Sequence, residues 1–185
     1  IQLTRSRLEL AILLDEQGEW AEADSLYGEA AAGYAAMGNK RLGEAKVYNN
    51  WAISLCYRTE QGAVISTERG KLLNEALMYL GRARALAVGL GDEGEWEVAK
   101  TWHGEGKVHG QLGNYADAAA AFEVYLRLSA AQGNHTVRGY TLTDMAALVY
   151  LPQNRVEDAA AAVNEAIPIL EVHNDLLNLA EAHMV

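Results

Sequence analysis

One three-residue stripe constrains this chain more than any other feature. Ala118, Phe122 and Tyr125 fall at i, i+4 and i+7, directly after the turn Gly113-Asn114-Tyr115. That spacing predicts the buried face of a helix. The turn residues tolerate the left-handed backbone that ends a helix, so another helix precedes them. It carries Trp102, Gly106 and Leu112. Small residues (Gly106, Ala118) stand where two helices must approach, and aromatics stand where a gap must be filled.

The pattern returns along the chain. In residues 1–38 the stripe Leu3, Leu10, Ala11 and Leu14 is followed by Gly18-Glu19-Trp20, then Ala23, Tyr27 and Ala30. In 39–91, Tyr48, Trp51, Ala52 and Leu55 precede Ala76, Leu80 and Ala83. The unit 92–133 holds the stripe described first. In 134–174, Tyr150 and Pro152-Gln153-Asn154 precede Ala159, Val163 and Ala166. Residues 175–185 begin a fifth unit. Ala76 to Ala118 is 42 residues and Ala118 to Ala159 is 41, whereas Ala23 to Ala76 is 53. The second unit therefore carries an insertion, placed at 60–70, polar at its ends with Ala63-Val64-Ile65 between. Long excursions from a repeat tend to lie on one face and often carry function. Pro168 falls inside a predicted helix and should bend it.

A Trp-like position, a small residue four later, a Gly-x-Tyr turn, then Ala and an aromatic four later resembles the tetratricopeptide repeat. Tyr125 stands where that family has a small residue, which should push the next helix outward. The period of about 41 exceeds the common form of about 34 residues. It is similar to the longer repeats of kinesin light chains, Leu-Gly-Asn cell-polarity adaptors and bacterial sensor arrays of the maltose-activator type. The resemblance implies an all-α right-handed α-α superhelix of about four helix pairs plus the start of a fifth, one array over 1–185. Its concave groove, lined by the first helix of each pair, suits a peptide or partner helix.

The same resemblance assigns groove positions by register. In the second unit they are Lys46, Asn49, Asn50, Ile53 and Cys56. In the third they are Lys100, His103, Gly104, Lys107 and Gly110. In the fourth they are Thr141, Asp144, Met145, Leu148 and Leu151. Asn50 matches the asparagine that bonds the backbone of a bound peptide in peptide-binding members. An amide suits that task because it can donate and accept at once. Asn50 and Lys100 match two places of the carboxylate clamp of chaperone-cofactor members, but Leu8, Ile12 and Gly104 occupy the other three, which argues against such a clamp. Lys100, His103 and Lys107 share one helix face at i, i+3 and i+7, a basic strip suited to an acidic peptide. The alternative is a solvated face paired with Glu97 and Glu105. Gly104 and Gly110 each cost roughly 1 kcal/mol against Ala inside a helix. They read as room for a ligand backbone or as local tolerance.

Composition narrows the function. The 185 residues are 50% hydrophobic with a net charge of −10. A packed core is within reach, and the acidic balance argues against nucleic acid or an anionic membrane as direct partner. Cys56 is the single cysteine, which excludes a disulfide framework and fits a reducing, cytoplasmic setting. No apolar run approaches the roughly 20 residues that span a bilayer. His103 and His109 lie six apart, on different sides of a helix, so they cannot share a metal. His135, His173 and His183 are scattered. No nucleophile-and-base pair and no cofactor loop is legible, so neither catalysis, nor a cofactor, nor a metal is expected. The start at Ile1-Gln2 and the end inside helical sequence read as a piece of something longer. The expectation is a non-enzymatic protein-binding scaffold. The alternative is a sensor segment of a larger signalling or transcription-regulating protein, binding a small molecule or an intramolecular domain. Uncapped ends would let the isolated array self-associate.

Overall fold

The computed structural model describes residues 1–60, 66–134, 136–173 and 175–185. Every regular element among them is helical, in the order α1 (Gln2–Glu16), α2 (Trp20–Ala36), α3 (Arg41–Glu60), α4 (Ser66–Ala87), α5 (Gly91–Leu112), α6 (Tyr115–Ala131), α7 (Thr136–Met145), α8 (Val156–Val172) and α9 (Leu176–Met184). The protein is all-α. Ser66–Gly70, part of the expected insertion, is the first turn of α4; Ala63-Val64-Ile65 and His135 lie outside the described residues. Among the described residues no helix is long and apolar enough to cross a membrane.

Four helix ends share one backbone solution. Gly18 and Gly113 take φ of +81° and +80°, a region closed to most side chains. The N–H of the following residue then reaches back to an otherwise orphaned carbonyl: Glu19 to Leu14 at 2.9 Å, and Asn114 to His109 at 2.9 Å. At the third end Asn154 does the work of glycine, with φ of +59°, and Arg155 reaches Tyr150 at 3.0 Å. The fourth is Gly133 (φ +72°), after which the Asn134 N–H reaches the Ser129 carbonyl at 3.0 Å. Asn114 itself stays at φ −83°, so Gly113 alone makes that reversal.

Contacts gather the chain into two units, Ile1–Gly104 and Glu105–Val185. In the first, Ala11, Ala23, Tyr27, Ala30, Val47 and Ala83 form a buried cluster. Aromatics tie its helices together. Tyr27 stacks on Trp51 at 5.7 Å, Trp51 on Tyr79 at 4.5 Å, and Tyr79 meets Tyr48 at 5.5 Å. Arg82 caps the row over Tyr48 at 4.3 Å. In the second unit Ala118 and Phe122 pack with Met145 and Val149. Ala159, Ala162, Ala166 and Leu170 pack with Leu142 and Ala146. Tyr125 is buried, and its hydroxyl hydrogen-bonds that of Tyr140 on α7.

Two features follow from proline. α7 gives way to a π-helical turn (Ala146–Tyr150) and then a 3-10 turn (Leu151–Gln153) containing Pro152. Pro152 has no N–H to offer Leu148, so the regular ladder cannot continue. The Gln153 side chain instead donates to the Val149 carbonyl at 2.6 Å. α8 runs on past Pro168, which is exposed, to Val172.

Gly106 sits where α5 meets α6. A Cβ there would lie 2.6 Å from the Phe122 ring, so the expectation of a small residue at a close approach holds. We expect Gly106→Val to lower stability by about 1–3 kcal/mol through overpacking, read as a lower urea midpoint at unchanged helicity. An unchanged midpoint would show that Phe122 can yield.

Candidate functional site

α1, α2 and α3 border an open cavity of about 420 Å3. α1 contributes Ile12, Asp15 and Glu16. α3 contributes Asn50, Ile53, Ser54 and Tyr57, and α2 contributes Tyr27. On each long helix these are i, i+3, i+4 or i+7 neighbours, so each presents one continuous face.

Beside this cavity lies a buried charge cluster. Arg58, 5% exposed, is gripped by Asp24 through two bonds of 2.8 Å. Its Nη2 also donates to Asp15 at 3.2 Å and to Ser54 at 2.8 Å. The Ser54 hydroxyl donates a hydrogen bond to Asp15 Oδ1 at 2.5 Å, and the Trp51 indole N–H donates to Asp24 at 2.7 Å. Burial alone would lower the Arg58 pKa, but the bonds and charges of Asp24 and Asp15 outweigh it, and the net shift is upward. The guanidinium therefore stays charged, and its fork geometry fixes α1, α2 and α3 to one another. The Tyr27 hydroxyl is pushed well above the ordinary phenol range. Burial is the main cause, Asp15 adds to it, Arg58 opposes it, and Asp24 and Glu16 add further.

Asn50 and Ile53, expected in a groove, both line the cavity. Asn50 Nδ2 donates to the Lys46 carbonyl at 2.7 Å, which engages part of the amide and leaves Oδ1 as an acceptor. Asn49 differs from expectation. It is 4% exposed, and its Nδ2 holds the buried Glu97 carboxylate at 3.1 Å. Lys100 binds the other oxygen of Glu97 at 2.6 Å. Lys46 pairs with Glu93 at 3.6 Å. In the second unit Lys107 and Asp144 come together at 3.8 Å, both mostly buried. These ion pairs remove the basis for expecting an acidic partner along the lysine strip. For Lys100 the pairing with Glu97 is the alternative the sequence offered. His103 is half-buried on α5 and already engaged.

Gly104 is not room for a ligand. A Cβ there would lie 2.7 Å from Leu80 and 3.5 Å from Ile53, so the space is filled by packing. At Gly110 the obstacle is Leu148, at 2.8 Å from such a Cβ. Cys56, Thr141 and Met145 are buried, and Leu151 is exposed. Among the described residues no group of three or more His, Cys, Asp or Glu side chains could hold a metal ion.

No protein-family model matches the chain, and no curated protein matches it either. Sequence reasoning passed over Arg58, Asp15 and Asp24. The available signal was Trp51, Ser54 and Arg58 at i, i+3 and i+7, a polar run on a helix otherwise facing the core.

Removing one member of the buried cluster leaves the others uncompensated. We expect Arg58→Met to cost about 3–5 kcal/mol of stability, with part of it restored by adding Asp24→Asn; additive losses in urea unfolding would contradict the coupling. Alkaline pH provides a second check. The Tyr27 pKa is raised on folding, so its contribution is complete below about pH 10, the ordinary tyrosine value, and is lost as pH rises further. Unfolding free energy should fall above that pH, and Tyr27→Phe should make the fall shallower.

Proposed function

We propose that the chain is a non-enzymatic interaction module of tetratricopeptide type, which holds an extended segment of a partner protein against the paired faces of α1 and α3. The observation that carries this reading is the cavity between those helices, lined by Asn50 and Ile53. These are two of the positions that the family resemblance assigns to a peptide groove. Three repeated features support the repeat reading. The small-large stripe is buried in the first three second helices, at Ala23, Tyr27 and Ala30, at Ala76, Leu80 and Ala83, and at Ala118 and Phe122. The glycine or asparagine cap recurs at Gly18, Gly113 and Asn154 with the same backbone bond. Small residues recur where first and second helices touch, as Gly106 does on Phe122. In this proposal the helix pairs stack as a right-handed superhelix with the first helices lining the inside.

A second reading has one observation in its favour. A cavity of about 420 Å3 also falls within the usual size of small-molecule sites. On that reading the chain is the sensor segment of a larger signalling protein.

Panning a displayed peptide library against the intact chain separates the two. The interaction reading expects enriched linear peptides whose affinity falls about tenfold or more, roughly 1.4 kcal/mol, in Asn50→Ala combined with Ile53→Asp. Enrichment indifferent to those changes, or no enrichment at all, overturns it.

A further inference from the structure

Resting on that reading, we infer that the α1–α3 cavity receives a basic side chain, lysine or arginine, carried by the partner segment. The first argument is charge. Asp15 and Glu16 line the cavity and Asp24 joins Asp15 on Arg58, so three carboxylates stand at this end of the first unit. Arg58 is the one guanidinium set against them, and its hydrogen bonds go to Asp24, Asp15 and Ser54. Two negative charges remain. Asp15 is partly buried at 15% side-chain exposure, and Glu16 has no ion pair among the described residues. A carboxylate in a partly desolvated cavity attracts a cation more strongly than one in open water.

The second argument is the hydrogen-bond inventory. The polar groups on the cavity are mainly acceptors. Asp15 and Glu16 accept only, and Asn50 has one amide N–H engaged by Lys46 and its Oδ1 left over. The Ser54 hydroxyl donates its hydrogen bond to Asp15. Such a lining is matched by a group with several donors and no acceptor, which describes an ammonium or a guanidinium. An acidic side chain would meet more acceptors than donors, the remaining Asn50 N–H and the Tyr27 hydroxyl being among the latter.

The third argument is the wall. Ile12, Ile53 and the half-exposed Tyr57 border the cavity together with the carboxylates. Lysine and arginine carry a long apolar stem behind the charge, and that stem suits such a wall. A bare metal ion fits poorly, because no set of three metal-type ligands converges among the described residues.

The test uses the intact chain and short acetylated, amidated peptides that differ at one central position: lysine, arginine, their uncharged isosteres norleucine and citrulline, or glutamate. Binding is followed by fluorescence anisotropy. The charged forms should bind at least about tenfold more tightly than their isosteres, as charge-assisted pairs do, and less tightly as salt is raised. Glu16 is exposed and outside the Arg58 cluster, so Glu16→Gln keeps the fold. It should weaken the lysine and arginine peptides while leaving the norleucine peptide unchanged. Equal binding of lysine and norleucine, or preference for glutamate, overturns the inference while leaving a peptide groove in place. Failure of every peptide, with Glu16-dependent binding of free spermidine, overturns the peptide reading and the inference together.

Discussion

The first unit depends on one buried cation. A guanidinium taken out of water must be met by carboxylates in the plane of its N–H groups, or the fold loses more than it gains. Arg58 is met from two other helices, by Asp15 of α1 and by Asp24 of α2. Those bonds have direction as well as strength. They fix where the ends of α1 and α2 lie against α3, and the cavity is the space left between them. The Trp51 indole answers to the same Asp24. Through it the charge cluster joins the row of rings that runs from Tyr27 to Tyr79 and Tyr48. Polar and apolar cohesion here are one construction.

Much of the helical plan was legible because it depends on local rules. Ala23, Tyr27 and Ala30 announce a buried face by spacing alone, and all three are buried. The turn at Gly18 was readable because few residues accept a φ of +81°. Gly106 was readable for a different reason: a missing side chain opposite an aromatic implies close approach, and Phe122 fills that space. In each case one residue type is strongly preferred by one geometry, so the inference runs backwards safely.

The site was less legible because its chemistry is shared between helices distant in sequence. Nothing near Arg58 shows that Asp15, 43 residues earlier, will be its partner. The lysines were legible only in part. Lys100 read either as half of a basic strip or as paired with Glu97, and Glu97 holds it at 2.6 Å. Lys107 meets Asp144 from another helix. Gly104 shows the limit for glycine: the same missing side chain signals either a ligand or a neighbour, and only coordinates reveal Leu80 in the space. The π-helical turn before Pro152 was equally hidden. Proline marks where a ladder breaks, but not which neighbouring carbonyl is rescued or by whom.

These pairings change what the charge of the chain means. A net charge of −10 is a property of the whole, whereas binding depends on what is left uncompensated at one place. Lys46, Lys100 and Lys107 each have a carboxylate within 4 Å, so the positive charge expected inside the groove is largely cancelled. At the α1–α3 cavity the cancellation runs short, because Asp15 and Glu16 line it while the neighbouring Arg58 is also gripped twice by Asp24. The local sign is therefore opposite to the one the lysine strip suggested. Electrostatic preference is set by such residues of incomplete pairing more than by totals, since screened or paired charges steer little beyond a Debye length of about 8–10 Å. A group brought to this face would meet carboxylate acceptors first, which favours donors over acceptors there.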